Sequence, residues 1–106
     1  MELALKAIVE PRRRAILRLV RDDELASGEI ARHFDVSGPA ISQHLGVLEE
    51  AGLVSVRKDG TRRLYRARRE GMADLRQFLE DFWDDGLDRL RDAAERAQRA
   101  KEKSDA

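Results

Sequence analysis

The sequence predicts a mainly α-helical fold with a small β-hairpin, and three observations support this. Apolar residues recur at three- and four-residue spacing along most of the chain, which is the period of an amphipathic helix. The period changes to two only after Gly52, around an Asp59-Gly60 pair that is typical of a hairpin turn. The helical period then returns from residue 70 onward. Because 106 residues suffice for one modest core, we expect a single domain over 1–106.

The composition favours a soluble protein that completes its core by association. Charged residues make up 40% of the chain and aromatic residues 5%, and small domains of this kind often form oligomers. The chain has no cysteine, which excludes disulfides and thiolate metal sites. It also has no signal-peptide pattern and no apolar run of about 18 residues, so we expect a cytoplasmic protein with no membrane partner.

Two short helices begin the chain. Residues 2–9 predict a helix too short to be stable alone, so it needs a partner in its own fold or in another subunit. We expect it to contribute to a dimer contact through Leu5 and Ile8. Pro11 can open the second helix at its first position. The arginines of this second helix fit a solvated face, with Arg13 as a candidate contact to a DNA phosphate.

A helix-turn-helix follows. Ile30, Ala31 and Phe34 predict a short helix at about 27–33, with Ser27 as its cap. After a three-residue turn, a second helix covers 38–51, because Ser37 can cap its start and Gly52 can end it. Two short helices joined by a tight turn are typical of DNA-binding proteins.

The second helix of this pair has a face suited to the DNA major groove. Ile41, Leu45 and Leu48 form an apolar stripe, whereas Ser42 and Gln43 lie elsewhere on the helix. Gln43 can pair with adenine through two hydrogen bonds, and Ser42 can donate or accept one. His44 fits either a DNA contact or a buried, hydrogen-bonded position. Ser37 and Gly38 lie at the helix start, where the backbone can approach DNA closely.

The hairpin, at about 53–67, is strongly basic. Residues 57–69 contain seven basic residues and one acidic residue in a chain of zero net charge. A basic hairpin after a helix-turn-helix is a wing, with cations that reach DNA phosphates or the minor groove. The alternative is a solvated edge that blocks aggregation. The expected backbone contacts are Arg57, Lys58, Arg62 and Arg63, with Tyr65 either at a phosphate or in the core.

Residues 70–98 predict a long amphipathic helix, followed by a polar tail expected to fray. Three of the five aromatic residues lie here, so the helix has more apolar surface than the small core can cover. We expect it to pair with the same helix of a second subunit. The alternative is that Phe78, Phe82 and Trp83 line a ligand pocket. The expected dimer contacts on this helix are Leu75, Phe78, Leu79, Phe82, Trp83, Leu87 and Leu90.

Several of these motifs together resemble the arsenical-resistance repressor (ArsR) family. The similar segments are Pro11–Leu17, Glu29–Ala31, Ser42–Val54 and the hairpin at Gly60–Tyr65. The resemblance implies a winged helix-turn-helix and a homodimeric bacterial repressor that an inducer, often a metal or metalloid, releases from its operator.

The metal sites that the resemblance implies are not matched by this chain. Family metal sensors of one kind carry a Cys-x-Cys pair where this sequence has Ala26 and Gly28, and neither residue can bind a metal. Sensors of another kind use histidines on the last helix, but both histidines here, His33 and His44, precede residue 45. We therefore expect no metal and no cofactor.

The sequence as a whole predicts a homodimeric regulator that binds a near-palindromic DNA operator. A dimer would place its two reading helices about 34–36 Å apart, which is one turn of DNA. The alternatives are a protein-interaction module or a non-specific architectural DNA-binding protein. No catalytic constellation is visible, so an enzyme is not expected, and the sequence specifies no inducer.

Overall fold

The computed structural model describes residues 1–105, with side chains described for residues 1–103. It has two compact units, Met1–Leu75 and Arg76–Ala106. The single domain over 1–106 stays a prediction. In chain order the elements are α1 (Glu2–Ile8), α2 (Pro11–Val20), β1 (Leu25–Ala26), α3 (Ser27–Ala31), α4 (Gly38–Glu50), β2 (Val54–Asp59), β3 (Arg62–Ala67) and α5 (Arg69–Asp105). The tail predicted to fray is helical as far as Asp105. None of the described helices is both long and apolar enough to span a bilayer.

The core of the first unit is aliphatic. Burial of each such side chain contributes roughly 1.5–3 kcal/mol to folding. Tyr65 is 7% exposed and belongs to this cluster, so its ring packs in the core, and a contact of its hydroxyl with a phosphate stays a prediction. Helices α2, α3 and α4 and the segment after α4 provide the largest fully buried side chains, which are Ile16, Val20, Ile30, Ile41, Leu45, Leu48 and Leu53.

Both ends of α4 are fixed as the sequence predicts. The Ser37 hydroxyl oxygen accepts a hydrogen bond from the Ala40 N–H at 3.3 Å. Gly52 has a φ of +75°, a backbone conformation that favours glycine. The Leu53 N–H then donates to the Leu48 carbonyl at 3.0 Å, which satisfies one of the last helical carbonyls. The start of α4 is therefore fixed by a local hydrogen bond, and its end by the Gly52 conformation and a second local hydrogen bond.

The helix before α4 is shorter than the sequence predicts, and a strand precedes it. α3 ends at Ala31, so six residues rather than three connect it to α4. Its start is capped by Glu29, whose carboxylate accepts from the Ala26 N–H at 3.0 Å, and not by Ser27. Leu25 and Ala26 form β1, which was not predicted and which pairs with Tyr65 and Leu64 of β3. A strand of two residues is too short to show a period in the sequence.

The three strands form an antiparallel sheet in the order β1-β3-β2. The two-residue turn between β2 and β3 is Gly60-Thr61, one position later than the predicted Asp59-Gly60. Gly60 has a φ of +64°, as the first central residue of a type II′ turn requires. This register places Lys58 directly opposite Arg63.

Gly71, near the start of α5, packs against the end of α4. A Cβ at this position would lie 2.0 Å from the Gly52 carbonyl oxygen and 2.9 Å from its carbon. No rotation of a side chain could relieve that overlap, because both atoms belong to the backbone. The absence of a side chain at Gly71 therefore permits the contact between α5 and the residue that ends α4.

We expect Gly71→Ala to destabilise the protein by about 1–3 kcal/mol, because the backbone must move to admit the methyl group. The matched control is Gly46→Ala in α4, where a Cβ would meet nothing within 4 Å. That change should stabilise the protein by about 0.5–1 kcal/mol, since alanine favours the helix. Urea unfolding at one fixed protein concentration measures both effects, and equal effects of the two substitutions would contradict the assignment.

Candidate nucleic-acid interface

The exposed face of α4 consists of short and small residues. Ser42, Gln43 and Gly46 are exposed, whereas Ile41 and Leu45 are fully buried on the opposite face. The helical repeat thus brings two of the predicted base-reading residues together at the surface. Acidic side chains occur on α4 only at its last two positions, Glu49 and Glu50. The face can therefore donate and accept hydrogen bonds without repelling a polyanion at its centre.

The start of α4 is also open at the surface. Ser37 and Gly38 are exposed, and a Cβ at Gly38 would meet nothing within 4 Å. Folding of the protomer therefore does not require glycine at this position. A helix N-terminus presents free backbone N–H groups and the positive end of the helix dipole, which favour a phosphate.

His44 lies away from this exposed face, although the sequence suggested it as a third base-reading residue. Its side chain is only 19% exposed. The imidazole Nδ1 is 3.5 Å from the Arg13 guanidinium, and Nε2 is 3.9 Å from the Glu10 carboxylate. The ring is therefore half-buried beside Arg13 and Glu10, which favours the hydrogen-bonded position, and the DNA contact of His44 stays a prediction.

Arg13, for which a DNA contact stays a prediction, hydrogen-bonds the end of α1 within the protomer. Its Nε donates to the Ala7 carbonyl at 2.7 Å, and a terminal nitrogen donates to the Lys6 carbonyl at 3.5 Å. Arg14 donates in the same way to Ile8 and Val9, at 2.7 and 2.9 Å. The last carbonyls of a helix have no partner within the helix, so these two arginines stabilise a helix of seven residues.

Two of the four predicted wing cations have acidic partners within the chain. The Arg57 guanidinium makes three hydrogen bonds to the Glu24 carboxylate, the shortest at 2.6 Å. These bonds lower the pKa of Glu24 below its ordinary value and raise the pKa of Arg57. Arg62 donates to Glu29 at 2.6 Å, so Glu29 both caps α3 and binds the wing. Much of the basic charge of this segment is therefore neutralised inside the protomer.

Lys58 and Arg63 are the wing cations that remain free. Both are exposed, and within the described residues neither has an acidic group at ion-pair distance. They face each other across β2 and β3, and like charges in that position destabilise a sheet. Arg66, which the predicted site omits, is also exposed, but its charge lowers the pKa of Glu24. The tip of the wing is thus a pair of uncompensated cations.

The apolar residues predicted for a dimer contact fall into two groups. In the first unit, Leu75 is 4% exposed, and Leu5 and Ile8 pack against the core, so these three are largely covered within the protomer. Leu3 and Val9 of α1, which were not predicted, are exposed instead. In the second unit the predicted residues are all exposed, at 41–69%, and they are Phe78, Leu79, Phe82, Trp83, Leu87 and Leu90.

Comparison with known proteins identifies the family. Residues 10–56 match the family described as bacterial regulatory protein, arsR family. The HTH-type transcriptional regulator Rv2034 of Mycobacterium tuberculosis is 48% identical over 80 residues, covering 76% of this chain and 75% of that protein. The transcriptional repressor SdpR of Bacillus subtilis is 34% identical over 86 residues, covering 81% of this chain and 96% of the repressor.

A solved structure matches in the same way. The homodimeric winged helix-turn-helix DNA-binding domain of Mb0332 from Mycobacterium bovis superposes with a TM-score of 0.64 and 32% identity. The match covers 81% of this chain and 80% of that domain. The helices, the wing and the close relatives agree, and the chain belongs to the arsR family of bacterial regulatory proteins.

Proposed function

We propose that this protein is a sequence-specific DNA-binding transcriptional regulator, and that it acts as a homodimeric repressor on a near-palindromic operator. The exposed face of α4 carries this proposal. That face is short and polar, while the opposite face is buried, so the middle of the helix presents Ser42, Gln43 and Gly46 to a groove. The matching repressor SdpR supports repression as the outcome. The cytoplasm, where bacterial DNA lies, is the location that goes with this proposal.

The residues of this face have distinct roles in base recognition. Gln43 pairs with the N6 and N7 edge of an adenine, and Ser42 donates to or accepts from a neighbouring base. Gly46 has free space around it and lies one turn after Ser42, so it lets the backbone approach the floor of the groove. Gly38 and Ser37 meet a phosphate at the start of the helix.

The tip of the wing provides contacts to the DNA backbone. Lys58 and Arg63 repel each other in the free protein, and a phosphate between them would remove that cost. Binding there releases counterions from DNA, so the affinity that the wing adds depends on salt and not on sequence.

In the proposed dimer, the part of α5 that lies in the second unit joins the two subunits. Leu79, Trp83, Gly86, Leu90, Ala93 and Ala97 follow one another at alternating spacings of four and three residues, which is the repeat of a coiled-coil contact. The small residues of this stripe allow the two helices to approach closely, and Phe82 and Leu87 lie beside it. The homodimeric domain from Mycobacterium bovis supports this arrangement.

Gln43→Ala should weaken binding to a preferred duplex by about 1–3 kcal/mol, because it removes two hydrogen bonds to a base. The duplex is one that the wild-type protein enriches from a random-sequence pool, and fluorescence anisotropy measures the affinity. Binding to a shuffled duplex should change little, and the same substitution at Gln98 in α5 is the control. An equal loss on both duplexes would rule out base reading by Gln43.

Replacing Lys58 and Arg63 together by glutamine should flatten the plot of log affinity against log salt by about 0.9 for each phosphate that the wing no longer neutralises. The preference for the selected duplex over the shuffled one should stay nearly constant. Arg57→Gln is the matched control and should flatten the plot less, because Glu24 already binds that guanidinium. If Arg57→Gln has the larger effect, the tip pair is not the main site of backbone binding.

Leu90→Asp should convert the dimer to a monomer, because it introduces charge into the apolar stripe of α5. Sedimentation equilibrium measures the mass, and loss of the second half-site should lower operator affinity on the order of a hundredfold. Arg91→Asp, at the next position and off the stripe, should remain dimeric. A dimeric Leu90→Asp protein would exclude this stripe as the subunit contact.

A further inference from the structure

We infer that His44 is a positioning residue, which fixes the DNA-reading helix to the corner between α1 and α2 through Arg13 and Glu10. It acts in its neutral form, so the preference for the operator depends on its protonation. This inference rests on the proposed function, because α4 is the reading helix only if the protein reads DNA.

The contact with Arg13 favours one tautomer of the ring. A guanidinium group can only donate hydrogen bonds, so the 3.5 Å contact from the Arg13 nitrogen is a hydrogen bond only when His44 Nδ1 carries a lone pair. The hydrogen of the neutral ring then lies on Nε2. Nε2 is 3.9 Å from a Glu10 carboxylate oxygen, so its hydrogen points to an anion.

The Glu10 carboxylate independently supports the tautomer with its hydrogen on Nε2. One of its oxygens caps α2 by accepting from the Arg12 N–H at 3.2 Å. The other, Oε2, is buried and has no hydrogen-bond partner among the described residues. A buried acceptor without a partner is costly, and a movement of about 1 Å would bring the His44 Nε2–H within hydrogen-bond distance.

Arg13 extends the effect of His44 to α1. The same guanidinium that contacts His44 donates to the Ala7 and Lys6 carbonyls at the end of that helix. One arginine therefore joins α1, α2 and α4, and His44 is the α4 side of this junction. A change in the ring alters the restraint on α4 without touching its DNA-reading face.

Protonation of His44 would turn the Arg13 contact from attractive to repulsive. The ring would then carry a second N–H at Nδ1, which faces the guanidinium as another donor and another positive charge. Among the described charged groups on the elements packed against α4, only Arg13 and Glu10 lie at hydrogen-bond or ion-pair distance from the ring. The others are Glu2 and Lys6 of α1, Arg12, Arg14 and Arg18 of α2, Glu29 of α3, and Arg57, Lys58 and Asp59 of β2. Glu10 would attract the protonated ring, so the expected loss comes from the repulsion between the ring and Arg13.

The sign of the pH effect separates this role from a direct DNA contact. A histidine that touched DNA would bind more strongly when protonated, because DNA is a polyanion. A histidine that positions α4 through Arg13 would reduce the preference for the operator when protonated. The ratio of affinities for two duplexes is the useful readout, since a general attraction to phosphate changes both equally.

The experiment uses the full chain, the duplex enriched from a random pool, and a shuffled duplex of equal length and composition. Anisotropy at constant ionic strength gives the affinity ratio from about pH 8 to about pH 5.5, across the range in which histidines change charge. We expect the wild-type ratio to fall about tenfold towards the acidic end, as the loss of one hydrogen bond to a charged group implies.

Three variants complete the test. His44→Asn keeps an acceptor near the position of Nδ1 but cannot be protonated, so its ratio should stay high at every pH. His44→Ala should have a low ratio at every pH. His33→Asn, at the other and exposed histidine, should behave as the wild type. A wild-type ratio that is flat or rises in acid, or a His44→Asn protein as impaired as His44→Ala, would overturn the inference.

A second measurement does not depend on DNA. A long-range ¹H–¹⁵N NMR spectrum of the free protein reports which nitrogen of His44 carries the proton in the neutral ring. We expect the Nε2–H tautomer, and an Nδ1–H tautomer would overturn the inference. If the wild-type protein prefers no duplex at any pH, the proposed function fails, and this spectrum still decides the placement of His44.

Discussion

Burial of one face of α4 is the constraint on which the rest of the structure depends. Ile41, Leu45 and Leu48 have no exposed surface, so rotation of the helix about its axis would expose them to water. Each would cost roughly 1.5–3 kcal/mol, and together this is a large part of the stability of a small domain. The hydrogen-bonding face is therefore directed outward by the hydrophobic effect, and not by any contact that its own residues make.

Several charged residues make hydrogen bonds within the protomer. Arg13 and Arg14 bind the carbonyls that end α1, and Glu29 binds both the start of α3 and the wing. Arginine suits this use because its donors are fixed in a plane and its charge is permanent. Of the seven cations in residues 57–69, Arg57, Arg62 and Arg68 have carboxylate partners, and the two at the wing tip without one among the described residues are Lys58 and Arg63. The net charge of a segment thus overstates the charge available to DNA.

Patterns with a local cause were predictable from the sequence. The caps at Ser37 and Gly52 and the buried stripe of α4 depend on neighbouring residues, and the structure confirms them. What could not be predicted depends on contacts between distant residues. His44 meets Arg13 across 31 positions, and Arg57 meets Glu24 across 33. The helical period places His44 near the boundary of the apolar stripe, where only the position of α1 and α2 determines which way the ring faces.

The exposed apolar residues of the second unit favour assembly. A single helix with Phe82, Trp83 and Leu90 each about two-thirds exposed leaves more apolar surface in water than monomeric proteins usually do. In the proposed dimer a second copy would cover that surface, because identical stripes are self-complementary about a twofold axis. Operator recognition by two reading helices would then depend on the dimer, and would be linked to burial of the α5 stripe by mass action. At protein concentrations below the dimer dissociation constant, a monomer with one reading helix would discriminate poorly between its operator and other DNA, whatever the quality of its individual base contacts.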